Sequence, residues 1–165
     1  EEMGLIGSRA FVEAHADLLD RIALVLNLDV PCAGRTPVLG VQGDPAVREA
    51  AAPLAEAWGG VSVRQGLSFA SDHFPFVLRG VTAINAGSEE SDLRYGRGLT
   101  HTRADTLACV DPLALREAAS LAAATLAFFA TRPRVAPRMS PARVRTMYEA
   151  AGLEPALRAQ GLWPW

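Results

Sequence analysis

The sequence contains no lysine: all 16 basic residues are arginines, against 18 acidic residues, for a formal net charge of −2. The absence of lysine excludes Schiff-base mechanisms and the phosphate-binding loops that need a lysine. The near balance of charge argues against a dedicated nucleic-acid binder, which usually carries a strong basic excess. The composition therefore excludes lysine-dependent chemistry and disfavours nucleic acid as a partner.

Cysteine is scarce, and long hydrophobic runs are lacking. Cys32 and Cys109 are the two cysteines and lie far apart, so we expect buried free thiols; a disulfide would need an oxidising compartment. The most apolar stretch, 118–130, is short and carries Ser120 and Thr125, so we expect no membrane span and a soluble protein. No secretory leader is visible, but the chain opens on glutamate rather than methionine, which leaves the compartment, cytoplasmic or secreted, open.

The length of 165 residues, half of them hydrophobic, and the alternation of predicted strands and helices indicate one α/β domain. Predicted strands lie at 22–26, 38–41, 61–63 and 81–85. Helices are predicted to begin at the N-caps Ser8, Asp44 and Asp111, with one further turn at 74–78. Because ligands of such sheets bind beyond the carboxyl ends of the strands, polar residues at those ends are the candidate site.

The C-terminal fifth of the chain has a different composition. The last long helix carries an apolar stripe formed by Leu115, Ala119, Ala122, Leu126 and Phe129. We divide the chain into a catalytic-type portion, 1–130, and an arginine- and proline-rich linker with a short helical tail, 131–165. The arginines of this tail could bind an acidic partner, but a solvated connector is favoured.

Two acidic segments could carry chemistry. Adjacent carboxylates at Glu1 and Glu2 point in different directions along extended backbone, so one could hold a metal while the other moves a proton; two solvated surface acids are the alternative. Asp29 directly follows a predicted buried strand and could be either a turn cap or a site residue.

Two histidine segments accompany them. His101 lies in a long polar loop, where an imidazole is available to a metal, and Asp105 could fix that loop or the imidazole by hydrogen bonding. The segment Ser71-Asp72-His73 precedes aromatic residues, as the wall of a pocket does.

Taken in order, these segments resemble the co-catalytic di-zinc aminopeptidases, the zinc exopeptidases whose wider relatives include glutaminyl cyclases, glutamate carboxypeptidases and the transferrin-receptor ectodomain. The matching motifs are Glu-Glu-x-Gly-Leu-x-Gly-Ser at 1–8, Asn-x-Asp at 27–29, Ser-Asp-His-x-Pro-Phe at 71–76 and His-Thr-x-x-Asp-Thr at 101–106. The resemblance implies a three-layer α/β/α fold with a mostly parallel central sheet, with the N-terminal part of the domain missing from this chain.

The resemblance also implies roles and cofactors. It makes Glu1 the general base, assigns Glu2 and His101 to one zinc and Asp29 to a second, and implies a peptide substrate with a free N-terminus. It places Asp72, His73, Thr102 and Asp105 in the substrate pocket or behind the metal ligands. A histidine and a bridging aspartate would come from an upstream part of the same domain.

One departure concerns the group that stabilises the oxyanion. Several relatives place an aromatic residue just before the histidine, where this sequence has Thr100; Tyr95 is near in sequence, and the donor stays open. The alternatives are a single-zinc glutaminyl cyclase-like enzyme and a non-catalytic receptor-like domain of the same fold. The run 3–8 favours the peptidase, and the retained candidate ligands argue against the non-catalytic domain.

Overall fold

The computed structural model describes residues 1–34, 36–89 and 99–165. Within them, one four-stranded sheet lies between two layers of helices. In chain order the elements are α1 (Ile6–Ala14), a 3-10 turn (Ala16–Arg21), β1 (Val25–Leu28), β2 (Thr36–Gln42), α2 (Pro45–Trp58), β3 (Ser62–Gly66), α3 (Phe74–Leu78), β4 (Ala83–Glu89), a second 3-10 turn (Leu107–Cys109), α4 (Pro112–Ala130), α5 (Pro141–Ala150) and α6 (Glu154–Ala159).

The sheet has the strand order β1-β4-β2-β3. β1 runs parallel to β4 and β2 runs parallel to β3, whereas β2 and β4 are antiparallel. The mostly parallel α/β architecture expected from the resemblance is therefore confirmed. Because β1 and β4 are parallel neighbours, the residues that follow their carboxyl ends lie at the same edge of the sheet.

Side chains alternate between the two faces of the sheet and build two cores. On one face, Leu39, Val41 and Ile84 pack with residues of α2 and α4. On the other, Ala83 packs with α3 and with Tyr148 of α5. Burying a side chain of leucine or isoleucine size contributes roughly 1.5–3 kcal/mol, so these two layers fix the sheet.

The predicted helix starts at Asp44 and Asp111 are confirmed. Each aspartate accepts a hydrogen bond from the backbone two residues on, at 3.0 Å and 2.9 Å, and a proline occupies the first helical position. The predicted N-cap at Ser8 is wrong. α1 begins at Ile6, because Leu5 adopts a left-handed backbone (φ 61°), and the Ser8 hydroxyl donates instead to the Leu5 carbonyl.

The apolar stripe predicted for α4 is out of phase with the buried face. Leu115 and Leu126 are 47% and 56% exposed. The buried face is formed by Ala114, Ala118, Leu121, Ala122 and Thr125. This helix is apolar nearly all round, so its periodicity defines no single face, and the small alanines are what allow close packing on the sheet.

α4 also corrects the expectation that no segment could cross a membrane. At 19 residues it is long and apolar enough to do so by length and composition, and 28% of its apolar window is buried inside the fold. The core helix of a soluble protein passes the same test, so the finding is weak evidence for a membrane span.

Residues 139–165 close the face of the sheet opposite α2 and α4, whereas Val135 and Ala136 pack with the core on the α2 and α4 face. Met139 donates its backbone N–H to the Gly80 carbonyl at 2.8 Å, and Tyr148 and Leu157 are fully buried. Arg134 donates to the Asp20 carbonyl at 2.7 Å, and Arg138 donates to the Asp20 carboxylate at 3.0 Å. The expectation of a solvated connector is therefore wrong at these arginines, which attach the C-terminal segment to the rest of the fold.

Candidate metal centre

Glu1 and Glu2 lie in a turn that leads directly into α1. The Glu1 carbonyl accepts hydrogen bonds from the Gly4 and Leu5 amides, both at 2.9 Å. This turn brings the Glu2 carboxylate to the predicted histidine: Glu2 Oε2 lies 2.8 Å from His101 Nε2, and both side chains are about 70% exposed. Two predicted ligands 99 positions apart in sequence thus meet in space.

Asp29 follows β1 immediately, and its amide donates to the Ala86 carbonyl of β4 at 3.4 Å. The negative charge of Asp29 also acts on Glu1. Burial is the main cause that raises the pKa of the Glu1 carboxyl, and the Glu2 and Asp29 carboxylates raise it further. The Glu2 and Asp29 carboxylates therefore place negative charge near Glu1. A bound cation would offset this charge.

These donors are of the types that zinc uses, since carboxylate oxygen and imidazole nitrogen are both zinc ligands. They do not form a complete site, because a zinc ion takes three or four protein ligands. Within residues 1–34, 36–89 and 99–165, no three His, Cys, Asp or Glu side chains are grouped closely enough to hold a metal. The described part of the chain therefore brings two side chains of zinc-ligand type into contact, Glu2 and His101, and no complete ligand set.

The loop around His101 is shaped by its own backbone. His101 has a left-handed conformation (φ 63°), and the Thr102 hydroxyl donates to the Leu99 carbonyl at 2.6 Å. Asp105 contributes its backbone N–H, which donates to the Thr102 carbonyl at 3.2 Å. Thr102 and Asp105 thus fix the loop through turns. Tyr95, which the sequence leaves open as a group that could stabilise the oxyanion, lies outside the described residues.

Asp72 and His73 lie at the start of α3. His73 is fully buried, its Nε2 lies 3.0 Å from the Ser68 hydroxyl, and burial lowers its pKa. Among the residues that the structure describes, neither His73 Nδ1 nor Asp72 Oδ1 has a hydrogen-bond partner. Because His73 is fully buried, its imidazole is not exposed to a metal as that of His101 is.

A pair of amides ties these segments together: Asn27 of the Asn-x-Asp motif, and Asn85, which the sequence pattern did not single out. Asn27 Nδ2 donates to the Ser71 hydroxyl at 2.7 Å and to Asn85 Oδ1 at 2.8 Å. β1, β4 and the segment before α3 are thereby joined just below Asp29 and Asp72. The sequence feature that could have revealed this role is Asn85 itself, an amide residue within the largely apolar predicted strand 81–85.

Comparisons with known proteins agree with this picture. Residues 1–126 match the model of Peptidase family M28. No curated protein matches the chain. Among solved structures the chain is similar to a zinc aminopeptidase from Bacillus subtilis, with a TM-score of 0.61 and 24% identity over 84% of this chain. The chain spans 36% of the length of that aminopeptidase.

Proposed function

Because the chain belongs to Peptidase family M28, we propose that it works as part of a zinc-dependent aminopeptidase, which removes single residues from the free N-terminus of a peptide. The proposal concerns the whole protein, since the structural relative is longer than this chain. The remaining zinc ligands would come from outside the described residues.

The observation that carries the proposal is the 2.8 Å contact between Glu2 and His101. A carboxylate and an imidazole from distant parts of the chain meet beside two further acids, Glu1 and Asp29. A purely structural ion pair would account for the contact between Glu2 and His101, but not for the two further acids beside it. The acidic surroundings and the family membership favour a metal-binding role.

The residues divide the chemistry among them. Zinc, when bound, would supply a Lewis acid that polarises the peptide carbonyl and lowers the pKa of water. Glu2 and His101 would hold one zinc, and Asp29 would contribute to a second. Glu1 would accept a proton from the attacking water as a general base and then donate it to the departing amine as a general acid.

The test uses the full-length protein and three substrates: leucyl-4-nitroanilide, its N-acetylated form, and a peptide blocked at its N-terminus but open at its C-terminus. We expect hydrolysis of the first substrate, loss of that activity with a chelator, and recovery when zinc is added. Equal rates on the free and acetylated substrates would contradict an aminopeptidase. Release of ammonia from an N-terminal glutamine, with no peptide bond cleaved, would favour the glutaminyl cyclase-like alternative.

A further inference from the structure

A groove of about 640 Å³ opens on the sheet face beside Asp29. Its floor includes three residues that lie side by side on neighbouring strands: Asn85, Gly40 and Arg64. Gly40 has no side chain, and neither does Gly87, which lies two residues beyond Asn85 on the same strand. The two glycines leave a hollow within the row, next to the predicted metal ligand.

Two amide groups at this hollow are fixed so that their nitrogens are free. Gln42 Oε1 accepts a hydrogen bond from the Ser68 backbone N–H at 2.8 Å, which leaves Gln42 Nε2 as a free donor. This nitrogen lies 3.6 Å from the position that a Cβ on Gly40 would occupy. Asn85 Oδ1 accepts from Asn27, which leaves Asn85 Nδ2. In the part of the chain that the structure describes, neither nitrogen donates a hydrogen bond. The hollow is therefore lined by N–H donors.

A charged pair lines one side of the groove. The Arg64 guanidinium reaches from β3 across β2 and pairs with the Glu89 carboxylate on β4. A second nitrogen of the guanidinium donates to the Ser62 hydroxyl at 3.0 Å, which holds the arginine in place. This side of the groove thus holds one cation whose charge is already balanced and one carboxylate that can still accept hydrogen bonds.

We propose that this hollow receives the side chain of the substrate's N-terminal residue and selects a side chain that ends in an amide, glutamine or asparagine. The inference rests on the proposed aminopeptidase function. The amide oxygen would accept from Gln42 and Asn85, and the amide NH2 group would donate to Glu89.

Other side chains fit less well. An apolar side chain would cover the two donors without pairing them, and burying an unpaired donor costs affinity. An acidic side chain has no N–H group to donate to Glu89 and would place a second carboxylate beside it. A basic side chain would meet donors on the floor of the hollow, where it needs acceptors.

The test measures kcat/KM of the full-length protein on glutaminyl- and leucyl-4-nitroanilide. We expect the glutaminyl substrate to be preferred by about tenfold or more. Gln42→Glu keeps the oxygen that accepts from Ser68 but replaces the free donor with a carboxylate oxygen, so we expect it to abolish that preference. Gln160→Glu introduces the same charge on a remote exposed residue and should leave the preference unchanged.

A second variant guards against misfolding of the first. A Cβ on Gly87 would lie 3.5 Å from the Asp29 carbonyl, an ordinary contact, so Gly87→Ala should fold and narrow the hollow. We expect it to slow the glutaminyl substrate about tenfold and to spare an alanyl substrate. Rates on glutaminyl substrate that neither variant changes would overturn the subsite.

Binding of free glutamine and leucine, measured by calorimetry, separates the two proposals. If no aminoacyl substrate is hydrolysed, the aminopeptidase proposal fails, and glutamine binding that Gln42→Glu weakens would still support the subsite. If hydrolysis occurs and leucine binds as well as glutamine does, the aminopeptidase stands and the amide selectivity is wrong.

Discussion

At the residue scale, Glu1 and His101 differ in what each side chain would give to the reaction. Glu1 would carry a proton, whereas the His101 imidazole would donate a lone pair to zinc. We expect Glu1→Gln in the full-length protein to lose about 10²–10⁴ in rate while it keeps its zinc. His101→Ala should lose both zinc and rate. Elemental analysis beside the kinetics checks this, and equal zinc loss in both variants would refute the division.

His73 gives a prediction that does not depend on zinc. Burial lowers its pKa in the folded state, so the folded protein holds the neutral imidazole. The free energy of unfolding is then undiminished above the ordinary histidine pKa of about 6.5 and falls as the pH drops below it, by at most about 1.4 kcal/mol per pH unit.

Urea denaturation of the full-length protein at pH 7.5 and 5.5 checks this effect. We expect His73→Asn to lose less unfolding free energy between the two pH values than the wild type loses. His15→Asn, at an exposed histidine, should behave like the wild type. A wild-type pH dependence that survives in His73→Asn would show that another group is responsible.

The sequence placed Asp29 after a strand and His101 in a loop, as the structure has them, but it did not reveal the residues that support them. Asp29 after β1 and the histidine loop followed from motif spacing, and the contact of Glu2 with His101 agrees with the shared zinc that the resemblance implied. Asn85 was missed because its role depends on strand register, which places it beside Asn27. Register between strands 58 residues apart is set by tertiary packing and has no local signal.

At the scale of elements, helices with clear caps were predicted better than strands. α2 begins where Asp44 and Pro45 predicted, because a cap is a local interaction. β1 begins at Val25, although the apolar run begins at Ile22. Ile22 and Leu24 pack against the cores without pairing in the sheet, and composition alone does not distinguish such residues from strand residues.

The C-terminal segment depends on a glycine that its own sequence does not reveal. Gly80 has φ 85°, and a Cβ there would lie 2.1 Å from the Met139 carbonyl oxygen. An alanine in a left-handed backbone costs roughly 1–2 kcal/mol. Because the overlap with Met139 adds to this, we expect Gly80→Ala to lower the free energy of unfolding by at least about 3 kcal/mol.

Gly161→Ala is the matched control. Gly161 also ends a helix with a left-handed backbone, with φ 66°, but no atom lies within 4 Å of its Cβ position. We expect it to show the backbone cost alone when both variants are measured by urea denaturation. Equal losses in the two variants would mean that the C-terminal segment does not press on Gly80.

At the scale of the whole molecule, the described chain forms a sheet whose edge strand β1 has an open side. An apolar groove of about 250 Å³ lies beside it, between residues 22–26 and the end of α4. The donors in contact, Glu2 and His101, are too few for a complete zinc site. We therefore expect the isolated 165-residue chain to bind at most one zinc, weakly, and to show no peptidase activity in a nitroanilide assay. Two tight zinc sites on the isolated chain would contradict this ligand count.

The most direct test of a zinc-dependent aminopeptidase is a zinc titration of the full-length apoprotein, with hydrolysis of leucyl- and glutaminyl-4-nitroanilide measured at each step. The account predicts no activity without metal and a rise that levels off at two zinc ions per chain. Full activity in the metal-free protein, or zinc binding that never restores hydrolysis, would contradict it.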